Sequence, residues 1–226
     1  MKIYISTDIE GVAGITAWEE ARKSSPYYPY YKEQMTKEVQ AACEGANRAG
    51  AKEIVVRDGH GSGRNIDHIR LPENVSLIRG WSGHPYKMVQ DLDEGFDALA
   101  FVGYHSYGGS NENPLAHTIN SSVIDYIKLN GEYLSEFLLH AYVAVSLGVP
   151  VVFISGDEGI CKEAKKFNEN IVTVAVSQGI GAATKSIHPN KALELIRKGM
   201  EEALKGDLER YKVELPKKFS LEIGYN

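Results

Sequence analysis

KIYISTDIEG, residues 2–11, is the stretch that decides the fold of this chain. Lys2–Thr7 is a mainly apolar, β-prone segment, and it predicts a strand at the start of the chain. Asp8 and Glu10 follow where this strand ends, and Gly11 comes directly after them. Side chains two positions apart in an extended chain point to the same side, so both carboxylates can reach one site. Two like charges held that close repel each other unless protons or cations lie between them.

Two further segments end in a similar way. Glu53–Asp58 (EIVVRD) predicts a second strand and leads into a glycine-rich loop that carries His60. Asp97–Val102 (DALAFV) predicts a buried strand that is followed by Gly103-Tyr104-His105. Strands that alternate with helices indicate a mainly parallel sheet, and sites in such sheets form outside the carboxyl ends of the strands. The residues that we expect to meet at this edge are two carboxylates and two histidines: Asp8, Glu10, His60 and His105.

The remaining pattern predicts an α/β fold in which helices flank a mainly parallel sheet. Apolar residues at helical spacing from Met35 to Ala49 predict a helix that ends at Gly50, and Asn130-Gly131 predicts a hairpin turn. The other expected elements are strands at 75–78, 151–155, 171–176 and 220–226, and helices at 86–92, 133–147, 157–168 and 189–205. We expect a single domain over residues 1–226, with a smaller C-terminal lobe from about residue 171.

Composition narrows the class of protein. The chain has 226 residues, of which 43% are hydrophobic and 24% charged, and its formal net charge of −5 argues against nucleic acid as a partner. No apolar run is long enough to span a bilayer, and the chain opens on a strand without a signal peptide, so we expect a cytoplasmic protein. Cys43 and Cys161 lack metal-binding spacing and read as reduced structural thiols.

The four side chains at the strand ends offer the donors that zinc and similar ions prefer, carboxylate oxygens and imidazole nitrogens. Each has a plain structural alternative, since Asp8 and Glu10 could serve turns and His60 could lie on a surface loop. Their coincidence at the ends of three strands favours a metal site. Glu136 would add a fifth donor if its helix packs over the sheet edge, although nothing in the pattern selects it from 30 acidic residues.

The number of donors favours two metal ions over one. Two four-coordinate ions need eight ligand positions, of which five side chains fill six if Asp8 is shared, and a bridging water fills the rest. Such ions lie roughly 3.5–4 Å apart, lower the pKa of the water and polarise a carbonyl oxygen. His117 follows a loop and could protonate a leaving amine or stabilise an oxyanion without binding metal. Direct attack by His117 is a less economical alternative.

These motifs together resemble those of the zinc-dependent D-aminopeptidases associated with dipeptide-transport operons, and the resemblance covers essentially the whole chain. The segments that carry it lie throughout the sequence: Asp8-x-Glu10-Gly11, Asp58-x-His60, Gly103-Tyr104-His105, the His117 segment, and Glu136 before Ala141-Tyr142-Val143.

The resemblance implies both a metal site and a substrate. The ligands that it implies for two zinc ions are Asp8, Glu10, His60, His105 and Glu136. It implies that His117 is catalytic and is not a ligand. The expected substrates are short peptides with an N-terminal D-residue, such as D-Ala-D-Ala. The expected assembly is a homo-oligomer, a decameric ring of stacked pentamers whose active sites face an inner chamber.

Two other functions stay open on the sequence alone. A metal-dependent phosphoesterase uses similar two-metal sites, although only Arg57 and Arg64 lie near the motifs to hold a phosphate. A non-catalytic zinc-binding protein linked to peptide uptake would keep the ligands and lack turnover. Nucleotide binding is disfavoured, because GHGSG and GYHSYGG fit neither the P-loop nor the dinucleotide-binding pattern.

Overall fold

A computed structural model describes residues 1–226. The strands are β1 (Lys2–Thr7), β2 (Glu53–Asp58), β3 (Val75–Ile78), β4 (Ala98–Tyr104), β5 (Ile124–Leu129), β6 (Glu132–Tyr133), β7 (Val151–Asp157), β8 (Val172–Ile180), β9 (Ala183–Ser186) and β10 (Leu221–Tyr225). The helices are α1 (Trp18–Ala21), α2 (Tyr28–Arg48), α3 (Glu136–Ser146), α4 (Glu158–Phe167) and α5 (Pro189–Leu204). Three short 3-10 turns are also present: His68–Arg70, Lys87–Val89 and Leu208–Tyr211.

Seven strands form one sheet in the order β3-β2-β1-β4-β7-β8-β9. Every neighbouring pair in it is parallel except β8 and β9, so the predicted mainly parallel sheet is confirmed. The chain builds outward from β1 to β3 and then returns to place β4 on the other side of β1. Such a reversal opens a crevice beyond the carboxyl ends of β1 and β4, where ligands bind in open α/β sheets.

The centre of the sheet is buried on both faces. Every residue of β4 and β7 is buried, as expected for parallel strands that helices cover on both sides. α2 packs against α5 and α3 packs against α4, and these helix pairs contact the central strands. The helical spacing predicted for α2 is confirmed by the burial of Met35, Val39, Ala42 and Ala46.

A second, three-stranded sheet has the antiparallel order β10-β5-β6. The predicted hairpin joins β5 to β6, and both turn residues have positive φ, 54° at Asn130 and 89° at Gly131. This is the backbone that a two-residue turn of the primed type requires. Residues after about 171 are divided between the two sheets, and a separate C-terminal lobe stays a prediction.

Two local predictions need correction, and one strand was missed. The helix expected over 86–92 is wrong, because only the 3-10 turn Lys87–Val89 forms there. Lys87 and Asp91 have left-handed φ values of 44° and 66°, which an α-helix cannot contain. The helix expected from residue 133 begins at Glu136, where Ser135 caps it. β9 had no counterpart among the predicted strands. No helix of the molecule has both the length and the hydropathy to cross a membrane.

Candidate metal centre

The loop after β1 brings Asp8 and Glu10 to the crevice beside β4. The backbone N–H of Gly11 donates to the carbonyl of Gly103 at 2.9 Å. A Cβ at Gly11 would lie 1.8 Å from the carbonyl oxygen of Tyr104, so only glycine allows the loop to approach β4 this closely. Both carboxylates are buried, with 3% of Asp8 and 2% of Glu10 exposed. Two acidic side chains are therefore buried side by side, where their charges must be compensated.

β2 supplies His60 through a loop that Asp58 organises. The Asp58 carboxylate accepts hydrogen bonds from the backbone N–H groups of Asn65 and Ile66, at 2.6 and 2.9 Å. Nε2 of His60 lies 2.8 Å from the carbonyl oxygen of Ala21. Because a carbonyl can only accept, we assign the proton of the neutral ring to Nε2. The other ring nitrogen, Nδ1, is then free to bind a cation.

His60, Asp8 and Glu10 form the first donor group. Nδ1 of His60 lies 3.0 Å from Oε2 of Glu10 and 3.3 Å from Oδ1 of Asp8. One donor atom from each of the three residues lies within 4.8 Å of the others. Three such donors converging on one point can hold a metal ion and leave a coordination position free.

Buried charge in this group perturbs its pKa values. Burial, with the nearby Glu10 carboxylate, raises the pKa of Asp8 well above its usual range. Burial also opposes ionisation of Glu10, but the charge and hydrogen bond of His60 outweigh it and hold the pKa of Glu10 well below its usual range. Burial disfavours protonated His60, yet the two carboxylates raise the pKa of this histidine well above its usual range. Protons thus compensate the carboxylates, and a bound cation would replace them.

His105 follows β4 and points its Nε2 into the same crevice. Nδ1 of His105 lies 2.9 Å from the carbonyl oxygen of Ser106, so the neutral ring carries its proton on Nδ1. Nε2 lies 3.6 Å from Oδ2 of Asp8 and 3.9 Å from Oε2 of Glu136. This nitrogen is fully buried and has no hydrogen-bond partner. An unpartnered buried acceptor is costly, so a cation between these three side chains fits the site.

The acidic surroundings of His105 also affect its titration. Burial favours the neutral imidazole, but the charges of Glu136 and Asp8 outweigh burial and raise the pKa of His105 to about 9. Asp8 therefore faces one histidine with each of its oxygens, Oδ1 towards His60 and Oδ2 towards His105. The position of its carboxylate suits a ligand shared by two ions.

α3 brings Glu136 to the crevice as its first residue, directly after the Ser135 cap. Oε1 of Glu136 accepts a hydrogen bond from the backbone N–H of Ile119 at 2.6 Å, which ties the helix to the segment after His117. Nδ1 of His117 lies 3.0 Å from the carbonyl oxygen of Leu115, and its Nε2 lies 3.6 Å from Oε1 of Glu136. The same reasoning as for His105 leaves Nε2 of neutral His117 without a proton.

His105, His117 and Glu136 form the second donor group, again with one donor atom from each within 4.8 Å of the others. The ring of His117 stacks on that of His105, with centroids 4.3 Å apart and planes 12° apart. The edge of Trp18 packs against His117 at a centroid distance of 5.3 Å. The structure therefore brings together all six predicted site residues, and it places His117 among the donors, whereas the resemblance implied a catalytic residue that is not a ligand.

A cavity of about 370 Å³ opens over both donor groups. Five of its wall residues were expected: Asp8, Glu10, His60 and His117 from the sequence pattern, and Glu136 from the family resemblance. Nine others were missed: Trp18, Gly59, Gly61, Trp81, Lys87, Met88, Ile119, Asn120 and Ser121. Most of these lie in irregular segments, where no periodicity marks a residue as facing a site.

Comparison with known proteins identifies the family of this chain. The model of the family Peptidase_M55, described as D-aminopeptidase, matches residues 1–226. A D-aminopeptidase of Bacillus subtilis (strain 168) is 32% identical over 197 residues, which is 87% of this chain and 71% of that protein. The fold is similar to the solved structure of the Zn-dependent D-aminopeptidase DppA from Bacillus subtilis, a self-compartmentalizing protease. That match has a TM-score of 0.91 and 28% identity, and it covers 100% of this chain and 81% of the other.

Proposed function

Because the chain belongs to the D-aminopeptidase family, we propose that it is a zinc-dependent enzyme that hydrolyses short peptides with an N-terminal D-residue. The observation that carries this proposal is the position of Asp8, whose Oδ1 faces His60 and whose Oδ2 faces His105. Carboxylate oxygens with imidazole nitrogens are the donor chemistry of catalytic zinc sites. The solved relative is described as Zn-dependent, which supports the same metal here.

We assign two zinc ions to each subunit. The first would be held by Asp8, Glu10 and His60, and the second by Asp8, His105 and Glu136. Both histidines support this assignment, since each donates one N–H to a backbone carbonyl and keeps its other nitrogen towards the carboxylates. Each ion would keep a position for water or substrate.

Zinc held in this way would lower the pKa of a water molecule and polarise the carbonyl of the scissile bond. His117 would move the proton. Its Nδ1–H is directed to the carbonyl of Leu115, so Nε2 can accept a proton from the attacking water as the new C–O bond forms. The resulting imidazolium would give that proton to the nitrogen of the departing amine as the C–N bond breaks. Oε1 of Glu136, 3.6 Å from Nε2, would stabilise the imidazolium.

The proposed substrates are dipeptides and other short peptides of the D-Ala-D-Ala type. The cavity of about 370 Å³ is at the small end of ligand sites, which suits a peptide of a few residues. Selectivity for the D-configuration rests on the family alone.

The proposal is tested by amine release from D-alanyl-D-alanine and L-alanyl-L-alanine, with zinc-loaded and EDTA-stripped protein. We expect zinc-dependent turnover of the D-substrate. His117→Ala should keep two zinc ions and lose at least about 100-fold in kcat, the usual contribution of a positioned acid–base. His68→Ala, at an exposed histidine outside the cavity, should behave as the unmodified protein.

Three results would contradict parts of this proposal. Loss of zinc in His117→Ala would make His117 a ligand. Hydrolysis of an aryl phosphate in place of the peptide would identify a phosphoesterase. Two tightly bound zinc ions without turnover of any substrate would indicate a non-catalytic zinc-binding protein.

We also propose that the chain forms a homo-oligomer, a decameric ring, in the cytoplasm. The solved relative is described as self-compartmentalizing. In the single chain, the edge strand β10 exposes 58% of Leu221 and 67% of Tyr225, an arrangement that suits burial against another subunit. The free, buried thiols of Cys43 and Cys161 suit a reducing compartment. Native mass spectrometry tests the ring: we expect ten copies of the 24.9 kDa chain, and a monomer would contradict it.

A further inference from the structure

The cavity wall contains a single lysine or arginine, Lys87. The other ionisable groups of the wall are three carboxylates and two histidines, all in the donor groups described above. The ammonium group of Lys87 has no carboxylate within 4.0 Å, so it is not neutralised by an ion pair within the chain. An unpaired cation on the wall of a cavity is available to an anionic part of a ligand.

The backbone of Lys87 is held in an unusual conformation. Its φ of 44° is left-handed, a conformation that is strained for a residue with a side chain. Nε of the fully buried Arg57 lies 3.4 Å from the carbonyl oxygen of Lys87. The N–H of Lys87 also donates to the carbonyl of His84 at 3.1 Å. Strain of this kind persists where surrounding contacts enforce it, and it is concentrated at functional sites.

Arg57 fixes a second part of the same wall. Its guanidinium lies over the ring of Trp81, 4.3 Å from the centroid. Nε1 of Trp81 donates to the carbonyl of Gly61 at 2.8 Å, beside His60. One buried residue thus supports both the lysine and the aromatic side chain that face the cavity. The cation is therefore part of a built wall, and its backbone is anchored to the core of the sheet.

We infer that the Lys87 ammonium binds the C-terminal carboxylate of the peptide, so that the enzyme prefers short peptides with a free carboxyl end over their amides. This inference rests on the proposed function, which puts the scissile bond at the donor groups. A peptide of two or three residues spans roughly 7–11 Å when extended, so both ends can lie within one small cavity. The carboxylate is the one anionic group that such a substrate always carries.

The first test compares kcat/KM for D-alanyl-D-alanine and for its C-terminal amide with zinc-loaded protein. We expect the acid to be preferred by about tenfold or more, the usual effect of a hydrogen bond to a charged group. In Lys87→Met and Lys87→Gly this ratio should fall towards one, mainly through KM. Glycine adopts a positive φ without strain. If the ratio falls in both variants, backbone strain is therefore not the cause. Lys52→Met, at an exposed lysine outside the cavity, should keep the ratio.

A binding measurement separates this inference from the proposed function. Calorimetry would compare a reduced-bond analogue of D-alanyl-D-alanine, which cannot be hydrolysed, with its amide. Tighter binding of the acid to the unmodified protein, lost in Lys87→Met, supports the carboxylate site whether or not the peptide is turned over. Equal binding of acid and amide, or a preference that survives in both Lys87 variants, overturns it. Absence of zinc-dependent turnover with a retained acid preference would refute the proposed function alone.

Discussion

Replacing Glu38 by glutamine should stabilise the protein at alkaline pH and change little at acidic pH. Glu38 is fully buried in α2, and its Oε1 accepts hydrogen bonds from the N–H of Ala13 and from Nε2 of Gln34, at 2.9 and 2.8 Å. Its Oε2 is buried without a partner. Burial raises the pKa of Glu38 from 4.5 to about 7, despite these two hydrogen bonds. Glutamine has the shape of the protonated acid and keeps an acceptor for both donors.

The size of the effect follows from the pKa. Because the folded-state pKa lies above the unfolded value, the native state binds more protons between pH 4.5 and about 7. The contribution of Glu38 to the free energy of unfolding is therefore fully present below pH 4.5. It falls as the pH rises from 4.5 to about 7, and it is constant at higher pH. At 1.36 kcal/mol per unit, the loss is about 3 kcal/mol. Glutamine does not ionise, so the Glu38→Gln variant should not show this loss of stability.

Urea unfolding of the zinc-loaded protein at about pH 5 and pH 8 measures this difference. The free energy of unfolding of the variant, relative to the unmodified protein, should rise by about 2–3 kcal/mol between the two conditions. Taking the difference between variants removes the pH dependence of zinc binding. Exposed Glu169→Gln is the control and should give no such change. An equal effect of Glu38→Gln at both pH values would refute the reasoning.

Three further perturbations test how the fold supports the site. Gly11→Ala should lose zinc, because the new Cβ would lie 1.8 Å from the carbonyl oxygen of Tyr104 and displace the loop that carries Asp8. A folded variant with full metal content would contradict this. Ser135→Ala removes the cap of α3 and should cost about 1 kcal/mol in urea unfolding, with weaker zinc binding near Glu136; unchanged stability would contradict the capping role. Removing zinc with EDTA should lower Tm, because the proposed ligands follow β1, β2 and β4 or begin α3, and they meet only in the folded state. An unchanged Tm would argue against zinc binding at these ligands.

The part of the site that follows strands could be predicted from the sequence. Asp8, His60 and His105 each come shortly after an apolar segment, and parallel strands bring their carboxyl ends to one edge. This prediction needs only the positions of the strands and their parallel arrangement. Buried apolar segments that alternate with helices indicate both. It could not assign the ring nitrogens, because these depend on carbonyls that the fold supplies, such as that of Ala21 beside His60.

The part of the site that depends on packing could not be predicted. Glu136 reaches the crevice only because α3 lies against β4 and β7, and its identification came from a family resemblance. Lys87 lies where a helix was expected over 86–92 and only a 3-10 turn forms, and Trp81 lies in an irregular segment without periodicity. Asp58 was noted as part of a motif, but its role of holding the His60 loop follows from hydrogen bonds that span seven and eight positions.

The two-zinc assignment is tested most directly by anomalous diffraction at the zinc edge from crystals of the zinc-loaded protein. We expect two peaks in each subunit, roughly 3.5–4 Å apart, with the Asp8 carboxylate between them. One peak should lie beside Glu10 and His60, and the other beside His105 and Glu136. A single peak, or peaks away from these side chains, would contradict the account.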